Sequence, residues 1–126
     1  YYDPGFRDES SWETEGETWD QEYGPGIFIP WQMAGNSRVN AVYAALRRFE
    51  SDLANRKITH DGCPVTTTHM GNARKIAKTM DRYGIGKPSP VQKIDAGVTA
   101  VLCHEAACDQ RAAGWVDDSP AYVYFA

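Results

Sequence analysis

Apolar residues between positions 39 and 53 recur at steps of three and four, and this spacing constrains the fold more than any other feature of the chain. The pattern predicts an amphipathic helix that runs from a cap at Asn36 or Ser37 to about Ala54. A helix with one apolar face must bury that face against another element. At 126 residues the chain is long enough for one domain with such a core. The apolar positions are Val39, Val42, Tyr43, Leu46, Phe49 and Leu53.

The stretch KPSPVQKIDAGVTAVLCHEAA, residues 87–107, predicts a second helix. Ser89 and Gln92 have the spacing of a capping box, and Pro90 stands at the first helical position. The helix is expected to end near Gly114, where a glycine can close the last turn. Its apolar stripe would comprise Val91, Ile94, Val98, Val101, Leu102 and Ala106.

One carboxylate, Asp95, falls on the shoulder of this predicted apolar stripe. An ionised carboxylate there is costly unless it is paired or binds a cation. It could pair with Lys87 or Lys93, or the helix N-terminus could stabilise it. A second isolated acid, Asp3, stands where a short strand gives way to an Asp-Pro-Gly turn. Carboxylates at a strand end and on a flanking helix can converge to hold divalent ions for phosphodiester hydrolysis, so both interpretations stay open.

Shorter segments predict strands and turns. Residues 26–31, GIFIPW, predict a short strand. Residues 58–59 and 65–69 predict two short strands joined through an Asp-Gly turn, as a hairpin or an irregular edge. Residues 6–22 predict a short helix or a loop, and residues 122–125 a terminal strand. A two-residue strand remnant followed at once by a turn is unusual at the start of a domain. We therefore interpret the chain as a fragment or a processed product.

Charge is distributed unevenly along the chain. Residues 8–22 contain seven acids and no base, whereas residues 23–116 contain twelve Lys and Arg against seven Asp and Glu. A basic body could follow a phosphate backbone, although a solvated surface is the commoner explanation. No apolar run approaches the roughly 18 to 20 residues that span a bilayer, and the first residues lack a signal-peptide pattern. These patterns predict an intracellular globular protein with no membrane partner.

The cysteines form an odd set, Cys63, Cys103 and Cys108, without the spacing of a disulfide framework. Such a set fits reduced thiols. Cys103 and Cys108 are interpreted as small core residues of the second helix. A zinc site is the minor alternative, because the spacings match no standard four-ligand pattern. Its donors would come from His60, Cys63, His69, Cys103, His104 and Cys108.

Four stretches, in this order, resemble the C-terminal nuclease domain of phage large terminases, which package viral DNA. They are YYDPG at 1–5, VYAALRRFESDLANRKITHDGCPV at 42–65, Asn-Ala-Arg at 72–74 and KPSPVQKIDAGVTAVLCHEAA at 87–107. The resemblance covers most of residues 1–114 and leaves 115–126 as a C-terminal tail. It implies an α/β, ribonuclease H-like fold with a mixed sheet flanked by helices. The fold would be incomplete, since the family's first acid lies on a strand upstream of this chain.

The resemblance also implies a site. Asp3 and Asp95 would be the catalytic ligands of Mg²⁺ or Mn²⁺ in an endonuclease that cuts double-stranded DNA. DNA contacts would come from Lys87, Lys93 and Arg74. His60 and Asn72 would support the catalytic edge, although a structural hydrogen bond is the simpler expectation for both.

The implied partners are double-stranded DNA and the terminase ATPase domain or other terminase and portal subunits, in the cytoplasm of an infected or lysogenic bacterial host. The chain itself has no Gly-x-x-x-x-Gly-Lys-Ser/Thr phosphate loop. Because the acid cluster would be incomplete, we expect weak or no DNA cleavage by this chain alone. The alternative function is a non-catalytic binding or assembly module that keeps the fold.

Overall fold

A computed structural model describes residues 1–5 and 12–114, and the fold is reported for these residues. They form a mixed α/β structure, as predicted, but the sheet within them has only two antiparallel strands. The predicted strand at 122–125 and the beginning of the 6–22 segment lie outside the described residues. In chain order the elements are α1 (Glu13–Tyr23), a 3₁₀ helix (Asn36–Arg38), α2 (Val39–Ala54), α3 (Pro64–Asn72), β1 (Arg74–Ala77), β2 (Tyr83–Gly86) and α4 (Asp95–Ala112).

Helix α2 supplies the centre of the core. Its residues Val42, Ala45, Leu46 and Phe49 are buried and pack with Val101 of α4. Partly buried side chains from β2 lie against the same cluster. Each fully buried side chain of this kind contributes about 1.5–3 kcal/mol. The predicted apolar face is therefore confirmed at Val42, Leu46 and Phe49, where it holds α4 against α2, but not at Leu53, which is 38 % exposed near the end of α2.

The predicted end of α2 at Ala54 is confirmed, whereas the expected cap is not. The residue that precedes α2 is Arg38, and no side-chain cap hydrogen bond forms there. Instead, the Arg38 guanidinium lies 4.5 Å from the ring centroid of Trp31, and its Nε donates to the Gln32 carbonyl at 3.2 Å. The chain enters α2 through a 3₁₀ turn that this arginine ties to the preceding loop.

The hairpin predicted around residues 58–69 is wrong, because residues 64–72 form helix α3. Pro64 stands in the first turn of the helix, where its missing N–H has no cost. The Asp61 carboxylate accepts from the Cys63 amide at 2.9 Å, so the Asp-Gly segment leads into a helix. The threonine run favours a strand by local propensity. Packing overrides it, since α3 lies against α4 through Met70 and Gly97.

The hairpin of the structure lies further along, between β1 and β2. The register pairs Arg74 with Gly86 and Ala77 with Tyr83. The connecting turn places Met80 and Asp81 in the left-handed region, with φ of 56° and 55°. Because neither residue is glycine, the usual sequence signal of such a turn is absent.

Helix α4 begins at Asp95, five residues after the predicted start at Pro90. Ser89 Oγ donates to Gln92 Oε1 at 3.0 Å, and the Gln92 amide donates to the Ser89 carbonyl at 3.2 Å. These bonds close a separate turn. The predicted end is confirmed, since α4 stops at Ala112 and Gly114 follows with φ of 86°.

The N-terminal residues pair with the segment that was predicted as a strand. The Tyr2 amide donates to the Ile29 carbonyl at 3.1 Å, and the Trp31 amide donates to the Tyr2 carbonyl at 2.7 Å. This is a single parallel bridge between Tyr2 and Pro30, so the strand predicted for residues 26–31 is reduced to one pairing. Helix α1 packs on Tyr2 at Gly16, where a Cβ would collide with the Tyr2 phenol.

Candidate metal and phosphate site

A cavity of about 1000 Å³ lies between the N-terminal residues, α1, the end of β2 and the start of α4. Asp3 and Asp95, which are far apart in the sequence, both border it. Lys87 borders it as well, and Trp12 and Trp19 form part of its aromatic wall. The two predicted ligands and one predicted phosphate contact therefore face one space.

Asp3 is held by backbone amides. Its Oδ1 accepts from the Gly5 amide at 3.1 Å and, more weakly, from the Met33 amide at 3.4 Å. The first bond closes the Asp-Pro-Gly turn, and the second ties that turn to the loop before α2. One carboxylate oxygen is thus used by the local structure.

Asp95 is exposed and is the first residue of α4. The expectation that it lies on the shoulder of a buried stripe is wrong, because the helix starts later than predicted. Its charge instead lies in solvent at the positive end of the helix dipole, which favours a carboxylate. No bound cation is needed to compensate for burial. The position still allows Asp95 to act as a ligand.

The N-terminal residues are anchored to the far part of α4. Tyr1 donates its hydroxyl to Asp109 Oδ2 at 2.6 Å, and its ring stacks on Trp31 at 6.2 Å between centroids. This hydrogen bond to a carboxylate raises the pKa of Tyr1 to about 12. Tyr1 and the Tyr2 bridge together anchor the segment that carries Asp3, which borders the same cavity as the start of α4.

The three predicted DNA contacts are not brought together. Among the described residues that border the acid cavity, Lys87 is present but Lys93 and Arg74 are not. The Arg74 guanidinium donates to the carbonyls of Gly71 and Ala73 at 2.7 and 2.8 Å. Lys93 is exposed on the loop before α4. Lys87 is the one predicted base that borders the same cavity as both acids.

The predicted supporting residues make structural hydrogen bonds. His60 Nδ1 accepts from the Gly62 amide at 3.0 Å within an exposed turn. Asn72 Nδ2 donates to the Lys93 carbonyl at 2.9 Å and so ties the end of α3 to the loop that precedes Asp95. Asn72 therefore positions the start of α4 without bordering the cavity.

The sequence did not predict the contact that a further residue, His69, makes with the start of α4. Its Nδ1 accepts from the Ala96 amide at 3.1 Å and satisfies one of the free N–H groups in the first turn of α4. The residue before α4, Ile94, has no side chain that can cap. His69 and Asn72 are three residues apart on α3, so they face the same side of that helix. Their spacing was the only signal in the sequence.

The donors considered for zinc are dispersed, with one exception. Cys103 is exposed on α4, and His60 lies in the loop before α3. His104 and Cys108 of α4 meet Asp52 of α2, with donor atoms within 4.8 Å of one another. Asp52 was not among the donors that the sequence suggested.

No family model, curated protein or solved structure matches the chain. None of the helices in residues 1–5 and 12–114 combines the length and apolar character needed to cross a bilayer.

Proposed function

We propose that the chain is part of a metal-dependent endonuclease of the phage terminase type, with a ribonuclease H-like fold, that cuts double-stranded DNA during genome packaging. The observation that carries the proposal is the placement of Asp3 and Asp95 on one cavity. The four sequence stretches that resemble the terminase nuclease support it. Its partners would be DNA and the terminase ATPase domain or portal subunits of a phage or prophage, in the cytoplasm of the bacterial host.

The donor set fits Mg²⁺ or Mn²⁺, because both ions prefer carboxylate oxygens. Asp3 and Asp95 would hold the ion. When bound, such an ion supplies Lewis-acid chemistry at a phosphate and lowers the pKa of water. The backbone amides of Gly5 and Met33 donate to Asp3 Oδ1 and fix the orientation of its carboxylate, so Oδ2 would be the ligand atom.

Lys87 and the aromatic wall supply the DNA side of the proposal. A lysine on the same cavity as two carboxylates adds a positive charge there and offers an ammonium to a phosphate. Trp12 and Trp19 stack on each other with centroids 6.0 Å apart, and both border the cavity. Trp12 is 53 % exposed, and an exposed aromatic face of this kind can stack on a base of a locally opened strand.

The second candidate function is a non-catalytic DNA-binding or assembly module with the same fold. It is favoured by the number of acids, since Asp3 and Asp95 are the only carboxylates among the described residues that border the cavity. It is favoured also by the structural use of Asp3 Oδ1. Two carboxylates bind a second ion weakly, so we expect the chain alone to cut DNA poorly.

The test compares the parent with Asp3→Asn and Asp95→Asn in a titration with Mn²⁺. Each substitution removes one charge, and in Asp3→Asn the side-chain amide oxygen can still accept from the two backbone amides. Asp81→Asn is the matched control, because Asp81 lies in the exposed β1–β2 turn with a positive φ that asparagine tolerates. Melting temperature and cleavage of supercoiled plasmid are measured for all four proteins.

The nuclease proposal predicts that Mn²⁺ raises the melting temperature of the parent and of Asp81→Asn, and that both site variants lose this response. An equal response of all four proteins would rule out the Asp3–Asp95 site. Plasmid binding without any metal response would support the non-catalytic module. Strong cleavage by the pure chain would contradict the expected weak activity.

A further inference from the structure

A second group of ligating side chains lies between α2 and α4, away from the acid cavity. His104 Nε2 lies 2.9 Å from Asp52 Oδ2. Cys108 Sγ lies 3.8 Å from His104 Nε2 and 3.9 Å from its Nδ1. The ligand atoms of a carboxylate, an imidazole and a thiol thus lie within 4.8 Å of one another.

Two helices preorganise this group. His104 and Cys108 are four residues apart on α4, so they lie on one face one turn apart. Asp52 comes from the last turn of α2, which the buried cluster holds against α4. The His104 side chain is 12 % exposed, and its ring meets the buried Phe49 edge to face at 5.5 Å. The imidazole therefore has little freedom to turn away.

The distances approach those of a tetrahedral zinc ion. Zinc bonds of about 2.0 Å to N and O and about 2.3 Å to S give edges of roughly 3.3 Å between N and O and roughly 3.5 Å between N and S. The observed separations of 2.9 and 3.8 Å each differ from these by less than half an ångström. The donor atoms of Asp52 and Cys108 lie within 4.8 Å of each other. Cys108 Sγ, nearly equidistant from both ring nitrogens, would have to rotate about χ1 to reach an ion on His104 Nε2.

Two other interpretations fit less well. A cysteine nucleophile needs its base within hydrogen-bond reach, whereas Cys108 Sγ lies 3.8 and 3.9 Å from the two ring nitrogens of His104. A plain ion pair between Asp52 and His104 leaves the nearby thiol without a role. Lys57 Nζ lies 3.4 Å from Asp52 Oδ1, but this lysine is exposed and its pairing is weak.

We propose that Asp52, His104 and Cys108 bind one zinc ion that joins α2 to α4. The mixed N, O and S donors select zinc-class ions over Mg²⁺. Three protein ligands leave the fourth position to water. This zinc site is independent of the proposed endonuclease site. The ions of that site would bind at the acid cavity, through the carboxylate oxygens of Asp3 and Asp95 alone.

The test is a Co²⁺ titration of the reduced, metal-free protein, since Co²⁺ reports tetrahedral thiolate ligation by visible and near-ultraviolet absorption. Cys108→Ser removes the proposed sulfur ligand. Cys103→Ser is the matched control, because Cys103 lies exposed on the same helix and outside the cluster. Asp52→Asn tests the site without touching any thiol. Circular dichroism checks that each variant is folded.

We expect one equivalent of Co²⁺ to give the thiolate charge-transfer band in the parent and in Cys103→Ser, and Zn²⁺ to displace it. Mutation of a residue that only hydrogen-bonds a metal ligand weakens metal binding about 10–100-fold. Cys108 and Asp52 are proposed as ligands themselves, so Cys108→Ser and Asp52→Asn should weaken Zn²⁺ binding at least as much. The band should vanish in Cys108→Ser. The proposal is overturned if the parent shows no band. It is also overturned if Cys103→Ser loses the band while Cys108→Ser keeps it. Neither outcome depends on the Mn²⁺ titration of the Asp3–Asp95 site.

Discussion

The contact between α2 and α4 positions both candidate sites, and Val101→Ala tests it directly. Val101 is 2 % exposed and belongs to the buried cluster with α2. Loss of one buried methyl group costs about 0.5–1.5 kcal/mol, so loss of two costs about 1–3 kcal/mol. The better helix propensity of alanine offsets less than about 0.7 kcal/mol of this.

The surroundings of Val101 favour the upper half of that range. A groove of about 170 Å³ that opens to solvent already lies beside it, bordered also by Leu46 and Phe49. Because the neighbouring side chains do not fill this space, we do not expect them to move into the space that Val101→Ala would create. We therefore expect the free energy of unfolding to fall by about 2 kcal/mol.

The assay is urea unfolding followed by circular dichroism, with Val91→Ala as the control. Val91 is 84 % exposed and lies in the turn before α4, so the same substitution there should change stability by less than about 0.5 kcal/mol. Equal m-values would show that both variants unfold from a similar native state. If Val101→Ala costs no more than Val91→Ala, α4 does not pack on α2 as described, and the arguments for both sites fail.

Two more predictions concern α4. His69→Ala removes the acceptor for the Ala96 amide and should lower the free energy of unfolding by about 1 kcal/mol in the same assay. The control His60→Ala lies in an exposed turn and should have little effect. Equal losses in the two variants would refute the capping role of His69. Burial raises the pKa of the Glu105 carboxyl in the folded protein above its value in the unfolded chain. The ionised form of Glu105 therefore opposes folding. The free energy of unfolding is highest below the unfolded pKa and falls as the pH rises through the folded pKa. Glu105→Gln should therefore be more stable than the parent at neutral pH and equally stable in acid. Its ion-pair partner Arg48 is 45 % exposed and stays hydrated when the charge of Glu105 is removed. A free energy of unfolding that is lower than that of the parent by the same amount at every pH would contradict this.

Local pattern was sufficient for the centres and the ends of the two long helices, but not for their starts. The three- and four-residue spacing of apolar side chains in α2 predicted its face and its end, because a helix of sixteen residues repeats the signal over several turns. The end of α4 was predicted for a related reason, since Gly114 alone can adopt the positive φ there without strain.

The candidate site was predicted only in part. Asp3 and Asp95 were named and do share a cavity, but the reason given for Asp95, burial beside an apolar stripe, was wrong. The error came from the start of α4. A Ser-x-x-Gln sequence can close an isolated turn as well as cap a helix, and nothing within residues 89–92 distinguishes the two outcomes.

The sequence by itself determined which segments have an apolar face, where the strongest turns lie and which side chains can ligate a metal. Tertiary structure alone decided where α4 begins, since His69 and Asn72 reach it from α3 across a contact between helices. It likewise decided that residues 64–72 are helical and that Asp52 meets His104 and Cys108. The physical reason is that short segments have nearly balanced local preferences, and the free energy of packing against a neighbour is large enough to choose between them.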